Sequence, residues 1–275
     1  MSDERISVSI DNGVADVRMV RADKMNALDN AMFQALADTG EKLKTQKEVR
    51  AVVLSGEGRA FCAGLDMGNF AQMASAGSGG GARPERPKEI MGKREFGNAN
   101  RAQQVAMVWK QIPVPVIAAV HGVAFGGGFQ VMLGADMRYM TPDVKLAILE
   151  IKWGLIPDMA GLVLTRKLAR ADVLRELTFT GRIFSGAEAR EYGFATRVCA
   201  DPRAEALATA REIAGKNPHA IRAGKRLLNL AEDGSEAEIL LAETDEQVAL
   251  IASPNQVEAV MANMQKREPK FADVA

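Results

Sequence analysis

The stretch Ala119-Val120-His121-Gly122-Val123-Ala124-Phe125-Gly126-Gly127-Gly128 runs from an apolar segment into three consecutive glycines. This pattern is typical of a buried strand that turns tightly into a helix. Unpaired backbone N–H groups at the start of such a helix favour an anion or a developing oxyanion. The spacing is neither GxGxxG nor a GK[ST] phosphate loop, so the stretch does not predict a nucleotide site.

A second loop of small residues, Ala60-Phe61-Cys62-Ala63-Gly64-Leu65-Asp66, follows a predicted buried strand at residues 51–54. Small side chains let the backbone approach a ligand closely. Taken alone, the loop is also explained by a tight connection between a strand and a helix. It gains meaning only from its order relative to the glycine stretch.

The segment from Lys145 to Ile151 predicts a strand with one carboxylate on an otherwise apolar face. In a strand, Leu146, Ile148 and Glu150 share that face. Burial there raises the pKa of a carboxyl group, which suits a general base. The alternative is a structural ion pair between Glu150 and a neighbouring cation such as Lys152.

A second carboxylate, Asp158, follows eight positions after Glu150 and comes directly after Gly154-Leu155-Ile156-Pro157. Either this turn returns Asp158 to the same pocket, or the side chain caps a helix that begins near Met159.

The remaining pattern is α/β for about 200 residues, followed by a helical tail. Residues 6–20 predict a hairpin with Asp11-Asn12-Gly13 as its turn, and a helix follows Asp29. Residues 68–94 contain the run Ala76-Gly77-Ser78-Gly79-Gly80-Gly81 followed by Pro84 and Pro87, which predicts a mobile lid that orders over bound substrate and sets its chain-length preference.

Composition narrows the class of protein. The 275 residues carry 35 basic and 35 acidic side chains, so neither a nucleic-acid partner nor a membrane partner is expected. Cys62 and Cys199 form no ligand-spaced cluster, so neither a disulfide framework nor a metal site is predicted. Two thiols, no apolar signal core and no long apolar run predict a cytoplasmic protein.

Several segments together resemble one family. Three of them, AFCAGLDM (60–67), AVHGVAFGGG (119–128) and EIKWGLIP (150–157), are similar to the signature regions of crotonases, the enoyl-CoA hydratase/isomerase family. Further similarity lies in KMNAL (24–28) and in SGAEA (185–189) with Tyr192-Gly193. The resemblance covers residues 20–200, and the tail resembles the family's terminal helices.

The resemblance implies a fold and a substrate. The fold is an α/β crotonase-like spiral of β-β-α turns with a C-terminal helical region. Residues 1–200 would form the core with an acyl-CoA site, and residues 201–275 a helical oligomerisation region of a homotrimer or a dimer of trimers. The substrate would be a coenzyme A thioester, with no further cofactor.

The resemblance also implies site residues. The backbone N–H groups of Ala63 and Gly127 would form an oxyanion hole, where each donor typically contributes about 3–4 kcal/mol. Coenzyme A would lie near Lys24, and Lys266 would meet the nucleotide phosphate in a neighbouring subunit. The full set of expected substrate-binding positions is Lys24, Met25, Ala27, Ala60, Phe61, Leu65, Asp66, Gly126 and Lys266.

The sequence departs from the family's hydratases at one catalytic position. Hydratases carry two glutamates, which match Gln130 and Glu150 here. An amide can hold a water or a substrate group but cannot exchange a proton near pH 7. Dienoyl-CoA isomerases of the family carry an acid at the position of Asp158, and an acid where Gln130 stands. An amide at Gln130 in place of the hydratase glutamate, together with an acid at Asp158, favours double-bond isomerisation. The catalytic residues would be Glu150, Asp158 and Gln130.

Other readings stay open at this stage. Glu150 alone could support hydration of a 2-enoyl thioester or isomerisation of a 3-enoyl one. An Asp at position 158 is also compatible with dehalogenation, although two Trp and two Tyr offer little for an aromatic pocket. A non-catalytic acyl-CoA-binding homologue is the alternative from another class. A serine hydrolase is disfavoured, because the chain has two histidines and no GxSxG.

Overall fold

A computed structural model describes residues 4–69 and 91–274 of the protein. Most of the predicted lid at 68–94 lies outside these described residues. The described strands are β1 (Ile6–Asp11), β2 (Val14–Met19), β3 (Ala51–Gly56), β4 (Val116–Val120), β5 (Val123–Phe125), β6 (Met137–Met140), β7 (Lys145–Ala147) and β8 (Arg197–Val198).

The described α-helices are α1 (Asn30–Thr45), α2 (Arg101–Gln111), α3 (Gly127–Leu133), α4 (Gly161–Thr165), α5 (Ala171–Thr180), α6 (Gly186–Tyr192), α7 (Pro202–Ala214), α8 (Pro218–Ala231), α9 (Glu236–Leu250) and α10 (Pro254–Met264). Single 3-10 turns lie at Ala22–Lys24 and Glu150–Trp153. The mixed α/β class and the helical tail are as predicted, with β8 as a short strand within the helical half.

A six-stranded sheet in the order β1-β2-β3-β4-β6-β8 forms the framework. Only the β1–β2 pair is antiparallel; its neighbours pair in parallel. A smaller parallel sheet joins β5 to β7, with Ala124 opposite Leu146. The site residues therefore lie where the chain leaves β4 and passes through the second sheet.

Both faces of the large sheet are covered, which explains the continuous apolar run in β3. Val52 and Leu54 belong to the core cluster that contains Trp109 of α2. Ala51 and Val53, on the opposite face, belong to a second cluster with Ala206 and Ala210 of α7. The first helix of the tail thus packs on the sheet itself. The predicted boundary at residue 200 falls between β8 and α7, and the division into two regions stays a prediction.

Local signals in the N-terminal part are confirmed. Asn12 and Gly13 both have positive φ, at 48° and 79°, which is the geometry of a two-residue hairpin turn that matches strand twist. Asp29 caps α1, because its Oδ1 accepts the Met32 N–H at 2.8 Å. These features need only neighbouring residues, so they are readable from sequence.

One strand boundary differs from expectation. The strand predicted from Lys145 to Ile151 ends at Ala147, and Glu150 opens the 3-10 turn instead. Tertiary pairing sets this limit, since β7 extends only as far as its partner β5. Helix α2 begins at Arg101, where Asn100 and Gln103 form a capping box.

Three serines in the helical half have capping-box spacing, and two of the boxes are formed, at Ser185 with Glu188 and at Ser235 with Glu238. The third, at Ser253 with Gln256, is not formed, and the Ser253 side chain makes no capping hydrogen bond. The Ser253 N–H already donates to the Leu250 carbonyl, so Gln256 accepts the preceding Ala252 N–H.

Gly122 provides a test of the close packing that brings the site loops together. A Cβ at Gly122 (φ 65°) would lie 1.9 Å from the Arg59 carbonyl oxygen, whereas a Cβ at Gly97 (φ 64°) meets nothing within 4 Å. Both alanine variants bear the same left-handed strain, so Gly97→Ala is the matched control. We expect Gly122→Ala to cost about 1–3 kcal/mol more in the free energy of unfolding. Equal costs in denaturant titrations would contradict the packing argument.

Candidate active site

Two glycine-bearing segments lie side by side at the centre of the site. Cys62 pairs with Ala124 as an isolated parallel bridge. The Cys62 N–H donates to the Val123 carbonyl at 3.1 Å, and the Phe125 N–H donates to the Cys62 carbonyl at 3.1 Å. The segments remain close beyond this bridge, since a Cβ placed on Gly64 would lie 3.8 Å from the Gly127 nitrogen.

Missing side chains permit this approach. A Cβ on Gly128 would lie 2.4 Å from the Cys62 carbonyl oxygen, and one on Gly64 would lie 2.6 Å from the Phe125 carbonyl oxygen and 3.8 Å from the Gly127 nitrogen. Both distances to carbonyl oxygens are shorter than real Cβ contacts allow. Glycine is therefore required at both positions for the segments to touch.

The predicted oxyanion donor at Ala63 needs correction. The Ala63 N–H donates to the Met25 carbonyl at 2.9 Å, so it is already used to fix the loop before α1. Within residues 4–69 and 91–274, the N–H groups of Leu65 and Gly127 have no acceptor. Gly64, with φ 88°, breaks the extended backbone between Ala63 and Leu65, so the direction of one N–H does not set the other. Leu65 therefore replaces Ala63 as the candidate donor beside Gly127.

Glu150 lies against this pair of segments. A Cβ on Gly126 would lie 3.4 Å from Glu150 Oε1, which is ordinary contact distance, so the carboxylate lies directly beside this backbone. Desolvation by burial raises the pKa of Glu150 above its ordinary value of 4.5, and the negative charge of Asp158 raises it further. Glu150 Oε2 is buried and has no hydrogen-bond partner among the described residues. The predicted pairing with Lys152 is absent from the described ion pairs.

Asp158 shares this electrostatic environment. The pKa of Asp158 is raised by desolvation, and its charge acts on Glu150. The alternative reading as a helix cap is wrong, since α4 begins at Gly161 and its N-cap residue, Ala160, makes no side-chain capping bond. The turn through Gly154 thus brings Asp158 close enough for its charge to act on Glu150.

Gln130 is occupied by the protein itself. Its Nε2 donates to Glu150 Oε1 at 2.6 Å, and its Oε1 accepts the N–H groups of Met159 and Gly161, both at 2.9 Å. The residue is 2% exposed. Both ends of the amide, which in principle could hold a water or a substrate group, therefore bond to the protein. The amide contacts Glu150 and the backbone next to Asp158 rather than an open site.

The predicted coenzyme A positions fall into two groups. Lys24 is exposed and Met25, Leu65 and Asp66 are half-buried, so these residues are accessible to a ligand. Ala60 and Phe61 are wholly buried, at 0% exposure, and direct contact with a ligand is excluded in this conformation. The Phe61 side chain packs in the core. Its position between small residues in the sequence does not predict this burial. Ala27 and Gly126 are buried, and Gly126 serves the site through its backbone.

Charged partners hold the accessible loop. Arg21 Nη1 donates to Asp66 Oδ2 at 2.6 Å and to the Ala27 carbonyl at 3.0 Å. Hydrogen bonds from the Gly68 N–H and from Arg21 lower the pKa of Asp66. Asp66 is thus held in an ion pair, which makes it a positioning residue for the loop that carries Leu65. Lys266 is exposed after α10, and its contact with a neighbouring subunit stays a prediction.

Asn26 and Arg21 are structural contributors that sequence reasoning did not single out. The buried Asn26 amide donates to the carbonyls of Ala60 and Glu57, at 2.9 and 3.0 Å, and accepts the Arg21 N–H. Met25 and Asn26 have φ of 49° and 55°, a left-handed pair that this network maintains. The asparagine inside the KMNAL motif was the available signal.

Comparison with known proteins identifies the class. The model of the family described as enoyl-CoA hydratase/isomerase matches residues 9–274. The chain belongs to the enoyl-CoA hydratase/isomerase family, and it has the crotonase fold of that family's solved structures.

Individual relatives narrow the comparison. The mitochondrial Delta(3,5)-Delta(2,4)-dienoyl-CoA isomerase of Mus musculus is 31% identical over 94% of this chain and 78% of its own length. The peroxisomal enzyme of the same name from Arabidopsis thaliana is 28% identical over 98% and 96%. A crystal structure of enoyl-CoA hydratase from Bacillus anthracis superposes with a TM-score of 0.85 at 26% identity, covering 98% of this chain and 99% of that one.

The raised pKa of Glu150 predicts a pH-dependent stability. A carboxyl whose folded pKa is raised stabilises the fold below the unfolded value, and that contribution is lost as pH rises through the folded pKa. We expect the Tm of Glu150→Gln, relative to wild type, to increase as pH rises above about 4.5, measured by scanning calorimetry. Glu48→Gln, at an exposed position, is the control. A Tm difference that is constant from pH 4 to pH 8 would contradict the desolvation argument.

Proposed function

We propose that the protein is a double-bond isomerase of acyl-CoA thioesters, of the dienoyl- or 3-to-2-enoyl-CoA type, acting through a thioester enolate. The observation that carries the proposal is the place of Glu150, whose carboxylate lies beside Gly126 and feels the charge of Asp158. The neighbouring N–H groups of Leu65 and Gly127 have no acceptor among the described residues. The names of the mouse and Arabidopsis relatives support the same reaction.

The proposed chemistry needs one proton acceptor and one proton donor. One carboxylate removes a proton from C2 of a 3,5-dienoyl thioester, and the electron pair moves to the carbonyl oxygen as an extended enolate. The Leu65 and Gly127 N–H groups stabilise that charge. The other carboxyl delivers a proton to C6, and the double bonds move to the 2,4 positions. For a 3-enoyl substrate, the proton returns at C4 instead.

No cofactor beyond the coenzyme A thioester takes part in this proposal, because proton transfer and oxyanion stabilisation suffice. Lys24 and Met25, which are accessible beside the oxyanion segment, are the proposed contacts for coenzyme A. Raised pKa values assist the reaction at neutral pH, since each carboxyl binds a proton more readily than it would in water.

A 2-enoyl-CoA hydratase is the second candidate. The name of the Bacillus anthracis enzyme and the presence of Glu150 favour it. Addition of water needs a group that activates or protonates alongside Glu150, and Gln130 has no titratable proton near pH 7. Both lone-pair positions of its carbonyl oxygen are taken by backbone N–H groups. These contacts support isomerisation over hydration.

Product analysis separates the two reactions. Wild type, Glu150→Gln and Asp158→Asn are each supplied with a 2-enoyl, a 3-enoyl and a 3,5-dienoyl thioester, and every product is identified by mass and absorbance. We expect double-bond migration by wild type without hydration. Each variant should lose about 10²- to 10⁴-fold in kcat, which is the usual contribution of a general acid or base. Dominant hydration of the 2-enoyl substrate would overturn the isomerase proposal.

We further propose a homotrimer or a dimer of trimers. Helix α9 has no buried residue in the single chain, and its apolar side chains Leu240, Leu241 and Val248 are 56–67% exposed. Val257, Val260 and Met264 on α10 are also exposed. Apolar surface of this extent on adjacent helices is typical of a subunit interface.

Light scattering tests this assembly. We expect a mass of three or six times the 29.6 kDa of one chain. Leu241→Glu should reduce the mass, because it places a charge on the apolar face of α9, while Leu241→Met keeps the apolar character and serves as the control. A monomeric wild type would rule out the proposed assembly.

A cytoplasmic location is also proposed. Cys62 and Cys199 are both free thiols, which suits a reducing compartment. No helix within the described residues has the length and apolar character that crossing a bilayer requires. The printed names of the two isomerase relatives place those proteins in mitochondria and peroxisomes, and cell fractionation distinguishes the three locations.

A further inference from the structure

Gln130 joins the two carboxylate-bearing segments through a single side-chain amide. Its Nε2 donates to Glu150 Oε1 at 2.6 Å, and its Oε1 accepts from Met159 and Gly161 at 2.9 Å each. Met159 directly follows Asp158. The amide therefore contacts one carboxylate directly and holds the backbone next to the other.

The orientation of this amide is fixed by chemistry. Two backbone N–H groups converge on one end of the side chain, so that end must be the carbonyl oxygen. The NH₂ group then faces Glu150, whose Oε1 must act as an acceptor. Flipping the amide would oppose donors to donors on one side and acceptors to an ionised carboxylate on the other.

The loop at residues 158–161 is shaped around Gln130. A Cβ on Gly161 would lie 2.7 Å from Gln130 Oε1 and 2.8 Å from Gln130 Cγ, so only glycine lets this backbone reach the amide. Ala160, between the two donors, has φ 68°, a left-handed conformation that costs an alanine free energy. Such strain persists where surrounding contacts determine the backbone.

We propose that Gln130 is a positioning residue that holds Glu150 and the loop of Asp158 as one unit, with the Glu150 carboxylate fixed as a hydrogen-bond acceptor. This inference rests on the proposed function for its kinetic consequences. Gln130 transfers no proton; it sets the relative placement of the two groups that do.

Two charged side chains on described elements next to this unit have contacts of their own. Lys152 lies over the Trp153 ring, and Glu176 of α5 is paired with Arg182 at 2.7 Å. Burial raises the pKa of the Cys62 thiol to about 12, so it stays neutral. Asp158 is therefore the group whose charge acts on Glu150, and Gln130 supplies its side-chain hydrogen bond.

Two substitutions separate positioning from proton transfer. Gln130→Met keeps the size of the side chain but removes all three hydrogen bonds. We expect kcat to fall about 10- to 100-fold at every pH, since a hydrogen bond to a charged group is lost, with KM within about threefold of wild type.

Gln130→Glu has a different signature. Its carboxyl, when protonated, reproduces the native pattern, with a carbonyl oxygen for the two N–H groups and an O–H donor for Glu150. When the introduced carboxyl ionises, two carboxylates are in contact, and one pKa of such a pair is strongly raised. We expect kcat near that of wild type at mildly acidic pH. At higher pH kcat of the variant should fall at least tenfold, which is a basic limb in the pH profile that wild type lacks.

Thermal unfolding provides a readout that does not depend on turnover. The introduced carboxyl has a raised folded pKa, so its favourable contribution is present at low pH and lost as pH rises through that value. The Tm of Gln130→Glu should match wild type in mild acid and fall below it at higher pH, while Gln130→Met should be lowered by a constant amount.

The outcomes are distinct. Absence of the basic limb in both kcat and Tm, or a wild-type kcat for Gln130→Met, would show that Gln130 does not position the carboxylates. If wild type isomerises none of the thioesters but the Tm limb appears, the proposed function is wrong and the positioning role stands. Both limbs together with isomerisation by wild type would support both proposals.

Discussion

Backbone contact between residues 60–65 and residues 121–128 is the constraint on which the site depends. The two segments exchange hydrogen bonds at Cys62 and Phe125, and they approach closely because Gly64 and Gly128 have no side chain. The contact brings Gly64, the residue before Leu65, beside the Gly127 nitrogen at the start of α3. An oxyanion site made of backbone groups needs this rigidity, because pre-oriented donors stabilise a developing charge without reorganising during the reaction.

The acidic groups depend on the same contact. Gly126 donates its N–H to the Ala147 carbonyl and lies beside the Glu150 carboxylate, so the turn that begins α3 also borders the acidic group. On α3, the Gln130 side chain bonds both to Glu150 and to the Met159 N–H, directly after Asp158. One short helix thus connects the oxyanion donors to both carboxylates. Partial burial of these carboxylates costs stability at neutral pH, which is common at catalytic sites.

Replacement of an acid by an amide at position 130 changes the chemistry without changing the fold. Glutamate and glutamine have nearly the same shape, and one oxygen of either side chain can accept the N–H groups of Met159 and Gly161. Only the second terminal group differs: the amide donates to Glu150, whereas an ionised carboxylate repels it. Under the proposed function, an amide at position 130 leaves proton transfer to Glu150 and Asp158.

Sequence alone determined the family, the hairpin turn, the cap of α1 and the identity of both carboxylates, because these features lie in short contiguous motifs. Turn dihedrals and helix caps depend on residues a few positions apart, so Asn12-Gly13 and Asp29 were readable directly. The tertiary structure decided how hydrogen bonds are allocated between distant segments. In the folded protein the Ala63 N–H donates to the Met25 carbonyl, and the Leu65 N–H has no acceptor among the described residues. Phe61 is buried, and the Gln130 amide bonds to Glu150. Each of these outcomes depends on which chain segment lies opposite, and no local pattern of residue types contains that information.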